Sequence, residues 1–379
     1  MALTKVSTAV VDMSGNTGAL EIAKGTTATR PATPSLGTLR SNTTDHTMEV
    51  YASTGWKALK EGGNAIVIPL TVDYLVVAGG GGGGPGYQAA GGGAGGFRTS
   101  FGTGNINGGL TAVESTLTLA VATSYSVTIG APGAGGAGTA MSAGRGATGS
   151  SSFFSDGNTT FEILTIGGGG GASYNNYGQG GLSNNGSPGG SGGGAAPHNT
   201  QATANGGIRV TTPVQGFNGG NAIAYADPYF GGGGGGAGGV GQVAGGANNG
   251  NGGLGLQSSI TGSNTFYAAG GAGGAYYSYL GAPNAAASGI GGSGAAASGA
   301  RGGVGFTAPG NGTVNTGSGG GGGGENGQVG ANGGSGVVIL RYPGSYAIAK
   351  TGSLISSTAT VGTDYVTTFT SGAGTITFS

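Results

Sequence analysis

The chain has 379 residues, 99 of them glycine, with 6% charged residues and no formal net charge. That composition excludes an ordinary globular domain, and a neutral chain gives no electrostatic ground for nucleic-acid binding, which needs a basic face. Cysteine is absent, which excludes disulfides and thiolate metal sites. What remains is a protein held together by backbone bonding, with modest apolar help from flanking strands.

Residues 1–62 differ in composition from the rest of the chain. Lys5, Lys24, Lys57 and Lys60 lie here, with the single tryptophan, Trp56, and prolines at Pro31 and Pro34. The start has no apolar core long enough for a signal peptide, and no stretch reaches the length of a membrane span, so synthesis in a cytoplasm without membrane insertion is expected. Alternating segments at 19–23, 38–42, 47–52 and 55–59 predict a small β meander with Trp56 as its core anchor. A module of this size buries too little surface to stand alone, so oligomerisation or docking to a partner is expected.

Segments 65–70 and 72–78 then lead as strands into a region of glycine runs at 79–84, 91–93, 167–171, 189–194, 231–236 and 319–324, and Val337-Val-Ile-Leu340 closes it with a second buried strand. Within the runs the other residues recur every third place, as in Ala131, Ala134 and Ala137, or Ala237, Val240 and Val243, or Ala272 and Ala275. A period of three is that of an extended polyproline-II-like helix. With two rows bare of side chains, neighbouring helices can approach until each N–H and C=O bonds sideways. A flexible linker is the usual reading of glycine-rich sequence. Ordering a residue costs roughly 1–2 kcal/mol and a hydrogen bond returns roughly 0.5–1.5, so a lone run stays disordered and only runs surrounded by others are fixed. The sequence therefore predicts a polyglycine-II bundle.

β-like pieces interrupt the bundle at 116–121 with 125–129 and at 152–154 with 161–166. Insertions at 173–188, 195–218, 221–230 and 276–289 carry Tyr, Asn, Ser and Pro and read as loops, in the composition of binding surfaces or of caps on the bundle. Residues 343–379 read as a β tail, with segments at 346–350, 365–369 and 375–378 and a hairpin turn at 371–374.

Signals for chemistry fail. Matches to G-x-G-x-x-G arise by chance in such a chain, and no lysine lies between Gly79 and Gly336 to complete a phosphate loop. His46 and His198 stand apart without a second ligand and read as surface residues. Glu114, Asp156, Glu162, Asp227 and Glu325 are scattered singly and read as solvated, not as an acid/base pair. Arg145-Gly146 and Arg301-Gly302 lack the basic surround of RNA-binding tracts, and Asp156-Gly157-Asn158 reads as a plain turn. No enzyme activity, cofactor or metal is expected.

The segment from Lys24 through Thr43, with Met48-Glu-Val-Tyr51 and Gly55-Trp-Lys-Ala-Leu59, resembles a short β module of bacteriophage tail-fibre and other virion proteins, marine ones especially. The stretch from Tyr74-Leu-Val-Val-Ala-Gly-Gly-Gly-Gly to Gly333-Gly-Ser-Gly-Val-Val-Ile-Leu-Arg-Tyr342 is similar to the glycine-rich domain of phage tail fibres, and in kind to tip adhesins whose polyglycine bundle presents loops to host receptors. The resemblance implies an all-β, irregular fold in three parts: an attachment module (1–62), a polyglycine-II/β domain (63–342) and a β tail (343–379). It implies receptor contacts at Tyr174, Tyr177, Tyr225, Tyr229, Tyr276, Tyr277 and Tyr279, and virion contacts at Leu3, Val6, Val10 and Trp56. The implied partners are other phage tail or virion proteins, a host surface glycan or outer-membrane protein, and further copies of the chain, a homotrimer by family expectation. A purely structural virion component, such as a fibre shaft, head fibre or decoration protein, is the alternative; a polysaccharide depolymerase is a minority reading.

Overall fold

The computed structural model describes residues 22–61, 64–65, 70–104, 106–137, 144–157, 160–174, 184–197, 203–223, 229–245, 248–276, 292, 308–324 and 328–379. Apart from two short 3-10 turns, Thr27–Thr29 and Gly108–Leu110, the regular elements among these residues are strands, and they fall in two units, Met1–Pro69 and Leu70–Ser379. The fold is all-β and irregular, as expected.

In the first unit one sheet runs in the order Lys24–Gly25, Leu39–Asn42, Thr47–Ala52, Gly55–Ala58. The first pair is parallel and the others antiparallel. The last three strands stand where the alternating segments placed them. The filling of the sheet is another matter. Its buried residues are Arg40, Asn42, His46 and Glu49, and Trp56 is only half-buried. Arg40 and Glu49 are directly opposed, and the Glu49 carboxylate accepts hydrogen bonds from Arg30 and from Asn42 Nδ2 (2.9 Å). Burial works to raise the pKa of Glu49, but these bonds and the charges of Arg30 and Arg40 outweigh it and hold it below the ordinary carboxylate value. Trp56 lies on an edge strand, flanked on one side only, so its ring rests against Tyr51 (5.4 Å between centroids, edge on) and under the Arg40 guanidinium (5.5 Å) instead of anchoring an apolar core. His46, read from sequence as a surface residue, is buried in a turn at φ 50°, and burial lowers its pKa against the pull of Asp45.

The second unit is built on the strands that bracket the glycine region. Leu70–Val77 and Val337–Pro343 pair directly and antiparallel, Val77 against Val337 and Asp73 against Arg341. Alternation sends Val72, Tyr74 and Val76, with Val338, Leu340 and Tyr342, to one face, and Leu75 and Val77, with Val337 and Ile339, to the other. Both faces are covered, which is why these strands read as continuous apolar runs. On the first face lies a second sheet, ordered Glu162–Thr165, Ser152–Ser155, Ser124–Thr128, Ala373–Phe378, Ile348–Lys350. Phe154, Ile376 and Phe378 of that sheet share an apolar cluster with Tyr74, Leu340 and Phe369.

The C-terminal segment belongs to this framework. Its hairpin joins Ile355–Val361 to Asp364–Ser371 through Gly362 at φ 63°, and Asp364–Ser371 also pairs with the closing strand. The stretch 371–374, expected as the hairpin turn, instead carries the chain across from one sheet to the other. Asp364–Ser371 lies in the first sheet and Ala373–Phe378 in the second. Gly372, at φ 91°, makes the bend in a conformation that side chains disfavour. Alternation marks both strands but not which partner each chooses.

The glycine runs bond sideways with a step of three. In the first run, the N–H groups of Gly79 and Gly82 donate to Ser150 and Ala147, those of Gly80 and Gly83 to Gly334 and Ala331, and those of Gly81 and Gly84 to Gly93 and Ala90. Its carbonyls accept in the same rhythm, from Gly168 and Gly171, from Gly133 and Gly136, and from Gly320 and Gly323. Residues 79–84 therefore sit among six neighbouring runs, three receiving hydrogen bonds and three giving them. Runs 89–96, 190–196 and 231–237 are surrounded in the same way. A Cβ built on any of residues 79–84 would lie under 3.0 Å from a neighbouring carbonyl oxygen, so side chains are excluded throughout. On outer runs the third residue faces outward, as at Ala131, Ala134, Val240 and Val243, all exposed. Two stretches expected as loops contribute runs of their own. Gly207 donates to Gly193, Gly219 to Gly207, and Gly193 and Ala195 bond into 187 and 220. Short Gly-Gly pairs suffice there because only the inward rows must be bare.

Where the framework meets the bundle, Glu114 is pinned and not solvated. Its carboxylate accepts from Arg98 Nη2 (2.7 Å) and Nε (2.8 Å), from Tyr74 Oη (2.8 Å) and from Asn107 Nδ2 (3.1 Å). Burial raises its pKa, yet the Arg98 bonds and charge, with Tyr74 and Asn107, more than offset that and leave it depressed; burial and the Glu114 charge push the Tyr74 hydroxyl far upward.

Packing this close makes inner and outer positions unequal. Gly82→Ala should lower stability by about 3 kcal/mol or more, whereas Ala134→Ser should change it by less than about 0.5 kcal/mol, as read by denaturant unfolding. Equal midpoints for the two variants would contradict the bundle. For Glu114, a depressed folded-state pKa means that the stabilisation is complete above the ordinary carboxylate value of 4.5 and is lost as pH falls through the lower folded value. Glu114→Gln should therefore cost about 1.5–3 kcal/mol at neutral pH, with the gap to the unaltered protein closing in acid. A gap that stays constant down to about pH 3 would show that the charge of Glu114 contributes nothing.

Candidate functional site

Direction in the bundle can be read from its registers. Residue 79 comes just after the opening strand, so residue 84 lies at the opposite end. Runs 133–136, 168–171 and 320–323 step forward as 80–83, 79–82 and 81–84 do, and are parallel to the first run. Run 89–96 steps back against it, since Gly81 donates to Gly93 and Gly84 to Ala90. Run 190–196 is antiparallel to 89–96, because Gly194 donates to Gly91 and Ser191 to Ala94, and is thus parallel to the first. By the same reasoning 217–220, 239–242 and 271–274 also run towards the far end: Gly192 and Ala195 bond to 217 and 220, Gly233 and Gly236 to 242 and 239, and Gly231 and Gly234 to 274 and 271.

The consequence is a polar object. After residues 84, 136, 172, 196, 222, 245, 275 and 324 the chain leaves the bundle at one end, while the paired sheets occupy the other. The departing connections begin the insertions 173–188, 221–230 and 276–289 and the first part of 195–218, whereas Gln215, bonded to Phe97 and Ile166, and the connection 256–267, packed on Leu75 and Val77, lie at the framework end.

At this loop end the described backbone forms short strands. Thr203–Ala204, Ala222–Ile223, Ala244–Gly245 and Asn248–Asn249 make one small sheet. Tyr229–Phe230 pairs antiparallel with Ala275–Tyr276, and the register sets Tyr229 opposite Tyr276. Alanines plug the interior where glycine gives out: Ala90, Ala172 and Ala196 form one buried cluster, Ala195, Ala204 and Ala222 another, and Ala244 and Ala275 enclose Phe230. Each is a residue small enough to fill a gap between runs without forcing them apart.

Of the expected contact residues, the structure thus brings Tyr229 and Tyr276 together across one strand pair. Tyr229 is half-buried. Tyr174 is at the same end but buried, 9% exposed, so its ring is packed inward. Tyr177, Tyr225, Tyr277 and Tyr279 lie outside the described residues, as do Leu3, Val6 and Val10 in the first unit. Sequence reading did not single out the flanking Phe230, Ile223 (53% exposed) or Tyr87; Ile223 and Phe230 stand in segments marked only as loops.

Chemically this end offers aromatic faces, exposed apolar side chains and backbone and amide hydrogen-bonding groups. Among the described residues no group of three or more His, Cys, Asp or Glu is placed to hold a metal ion. Arg145, next to the loop end of its run, is half-buried, and burial lowers its pKa. No helix among the described residues is long and apolar enough to cross a membrane.

A glycine-rich domain family matches residues 60–343, and the chain belongs to that family. The matched stretch contains both bracketing strands and all of the bundle. No curated protein matches the chain in sequence.

Proposed function

We propose that the chain is a bacteriophage virion protein of the tail-fibre type, which attaches through its first unit and presents the loop end of its glycine bundle to the host cell surface. The observation that carries this reading is that most of the Tyr- and Asn-bearing insertions leave the bundle at the end away from the paired sheets. A bundle that sends most of its Tyr- and Asn-bearing insertions out at one end, with a sheet framework at the other, is built to display loops on a fixed support. The tail-fibre assignment itself rests on the resemblance of residues 24–59 and of the bracketed glycine domain to phage fibre proteins, and membership of the glycine-rich domain family is consistent with it.

The ligand class comes from the residue types in the sequence at this end. The residue types at this end, with Tyr229 and Tyr276 at opposed strand positions and asparagine and serine nearby in sequence, suit a surface glycan or the loops of an outer-membrane protein, both recognised by stacking and neutral hydrogen bonds. The first unit supplies the assembly contact, and the working form is a homo-oligomer, a trimer by family expectation. No catalysis is assigned.

The test is competition. Purified chain, shown by light scattering to be a discrete oligomer, should block adsorption of its phage to host cells in a dose-dependent way. Tyr229→Ser/Tyr276→Ser/Tyr277→Ser should weaken the block by about tenfold or more while leaving the unfolding free energy within about 0.5 kcal/mol of the unaltered chain. A folded oligomer that does not compete would sink receptor binding and leave the bundle as a stiff structural spacer of the virion. Release of new reducing ends from host capsule would instead point to a depolymerase.

A further inference from the structure

The outermost runs of a polyglycine bundle face a problem that the inner ones do not: on the open side no further run supplies carbonyls for their N–H groups. Along run 203–210 the missing acceptors come from side-chain amides. Gly206 N–H donates to Asn221 Oδ1 (2.9 Å), Arg209 N–H to Asn218 Oδ1 (2.9 Å) and Asn205 N–H to Asn185 Oδ1 (2.9 Å). The donors 206 and 209 are three apart, the acceptors 221 and 218 are three apart in the reverse sense, and that is the step of an antiparallel backbone neighbour. The pattern recurs on another part of the perimeter. Asn332 N–H donates to Asn311 Oδ1 (2.9 Å), and the Asn332 side chain in turn accepts from Gly135 N–H (2.8 Å), a partner 197 residues away. Between two further outer runs, Asn251 N–H donates to Gln242 Oε1 (3.2 Å).

We propose that these asparagine and glutamine side chains are terminators of the bundle: each carbonyl oxygen occupies the place that a carbonyl of an additional run would take, and so bars a glycine run of a second copy from adding at the edge. Open sheet edges pose the same hazard, since an unpaired row of N–H and C=O groups is a template for another chain. Asparagine fits the role because its amide is a peptide group carried on one methylene, long enough to reach the next run and too bulky to stand between two inner ones. Its partners lie on other runs, at 9, 15, 20, 21 and 197 residues in sequence, so the bonds are not local turn caps. Lateral closure of this kind keeps a domain with many bare backbone edges from assembling sideways without limit.

Two measurements test it on the full chain. In Asn218→Ala/Asn221→Ala, the amides of Gly206 and Arg209 should exchange hydrogen about tenfold faster, while that of Gly219, which bonds to a backbone carbonyl, is unchanged. Sedimentation velocity over a concentration series should show association beyond that of the unaltered chain. Asn218→Asp/Asn221→Asp keeps the acceptor oxygens and should retain both the protection and the original size. Unchanged exchange, or unchanged association, in the alanine variant would overturn the proposal. Should that variant fail to fold, the unaltered protein decides: protected amides at Gly206, Arg209, Gly135 and Asn332 support it, and exchange as fast as in an unstructured chain refutes it.

Discussion

Everything in the larger unit depends on how closely one backbone can approach another. The sideways N–H to C=O bonds of the runs require neighbours so near that a single Cβ at positions such as Gly80 or Gly83 would collide with a carbonyl oxygen. Glycine is thus demanded by distance and not by backbone angle along the runs. The same requirement explains the alanines at the loop end, the outward placement of Val240 and Val243, and the restriction of the surrounded runs to glycine, alanine and serine. Hydrogen bonds worth roughly 0.5–1.5 kcal/mol net do not by themselves offset the roughly 1–2 kcal/mol cost of ordering each residue. The remainder comes from the apolar clusters around Leu70–Val77 and Val337–Pro343, which fix where the first and last runs begin and end.

Those bracketing strands explain why the bundle has a direction. Because they pair antiparallel, the chain enters and leaves the glycine region at the same end, and each excursion between must return to it or to a neighbouring turn. The sheets grow at that end from pieces inserted between runs, at Phe97–Thr99, Ser124–Thr128 and Ser152–Ser155. The far end is left to connections that carry no burden of pairing with the framework. Tolerance to sequence change is therefore distributed unevenly: close to none in the surrounded runs, and most where the chain turns back at the loop end.

Much of this was legible beforehand, for a physical reason. A period of three with two bare rows has one packing solution, and continuous apolar strands on either side of it announce burial on both faces. Other features left no periodic trace. The partner of Asp364–Ser371 is decided by sandwich packing, so alternation identified the strand but misplaced the hairpin turn at 371–374. Glu114 sits alone in sequence, and the arginine that holds it, Arg98, is brought beside it by the strand Phe97–Thr99. The first unit offered Trp56 as an anchor, yet its edge strand leaves the ring half-covered while Arg40, Asn42 and Glu49 fill the interior. Of the expected contact residues, the pairing of Tyr229 with Tyr276 needed the register of two short strands, which sequence does not specify.

The surface of the bundle shows how far one residue type can serve opposite ends. Asparagine at 218, 311 and 332 is followed by glycine, and so looks in sequence like any turn or loop signal. In the structure these residues lie within extended runs, where the side-chain amide points along the same bonding direction as the backbone and completes it. The distinction between a loop asparagine and an edge asparagine is therefore not composition but step: partners that recur three residues apart on a neighbouring run mark the boundary of the network. An exposed position that keeps that step is constrained by bonding even though it is not buried, whereas Ala131 and Ala134, whose side chains face outward with no such role, are constrained only to stay small enough to leave the run extended.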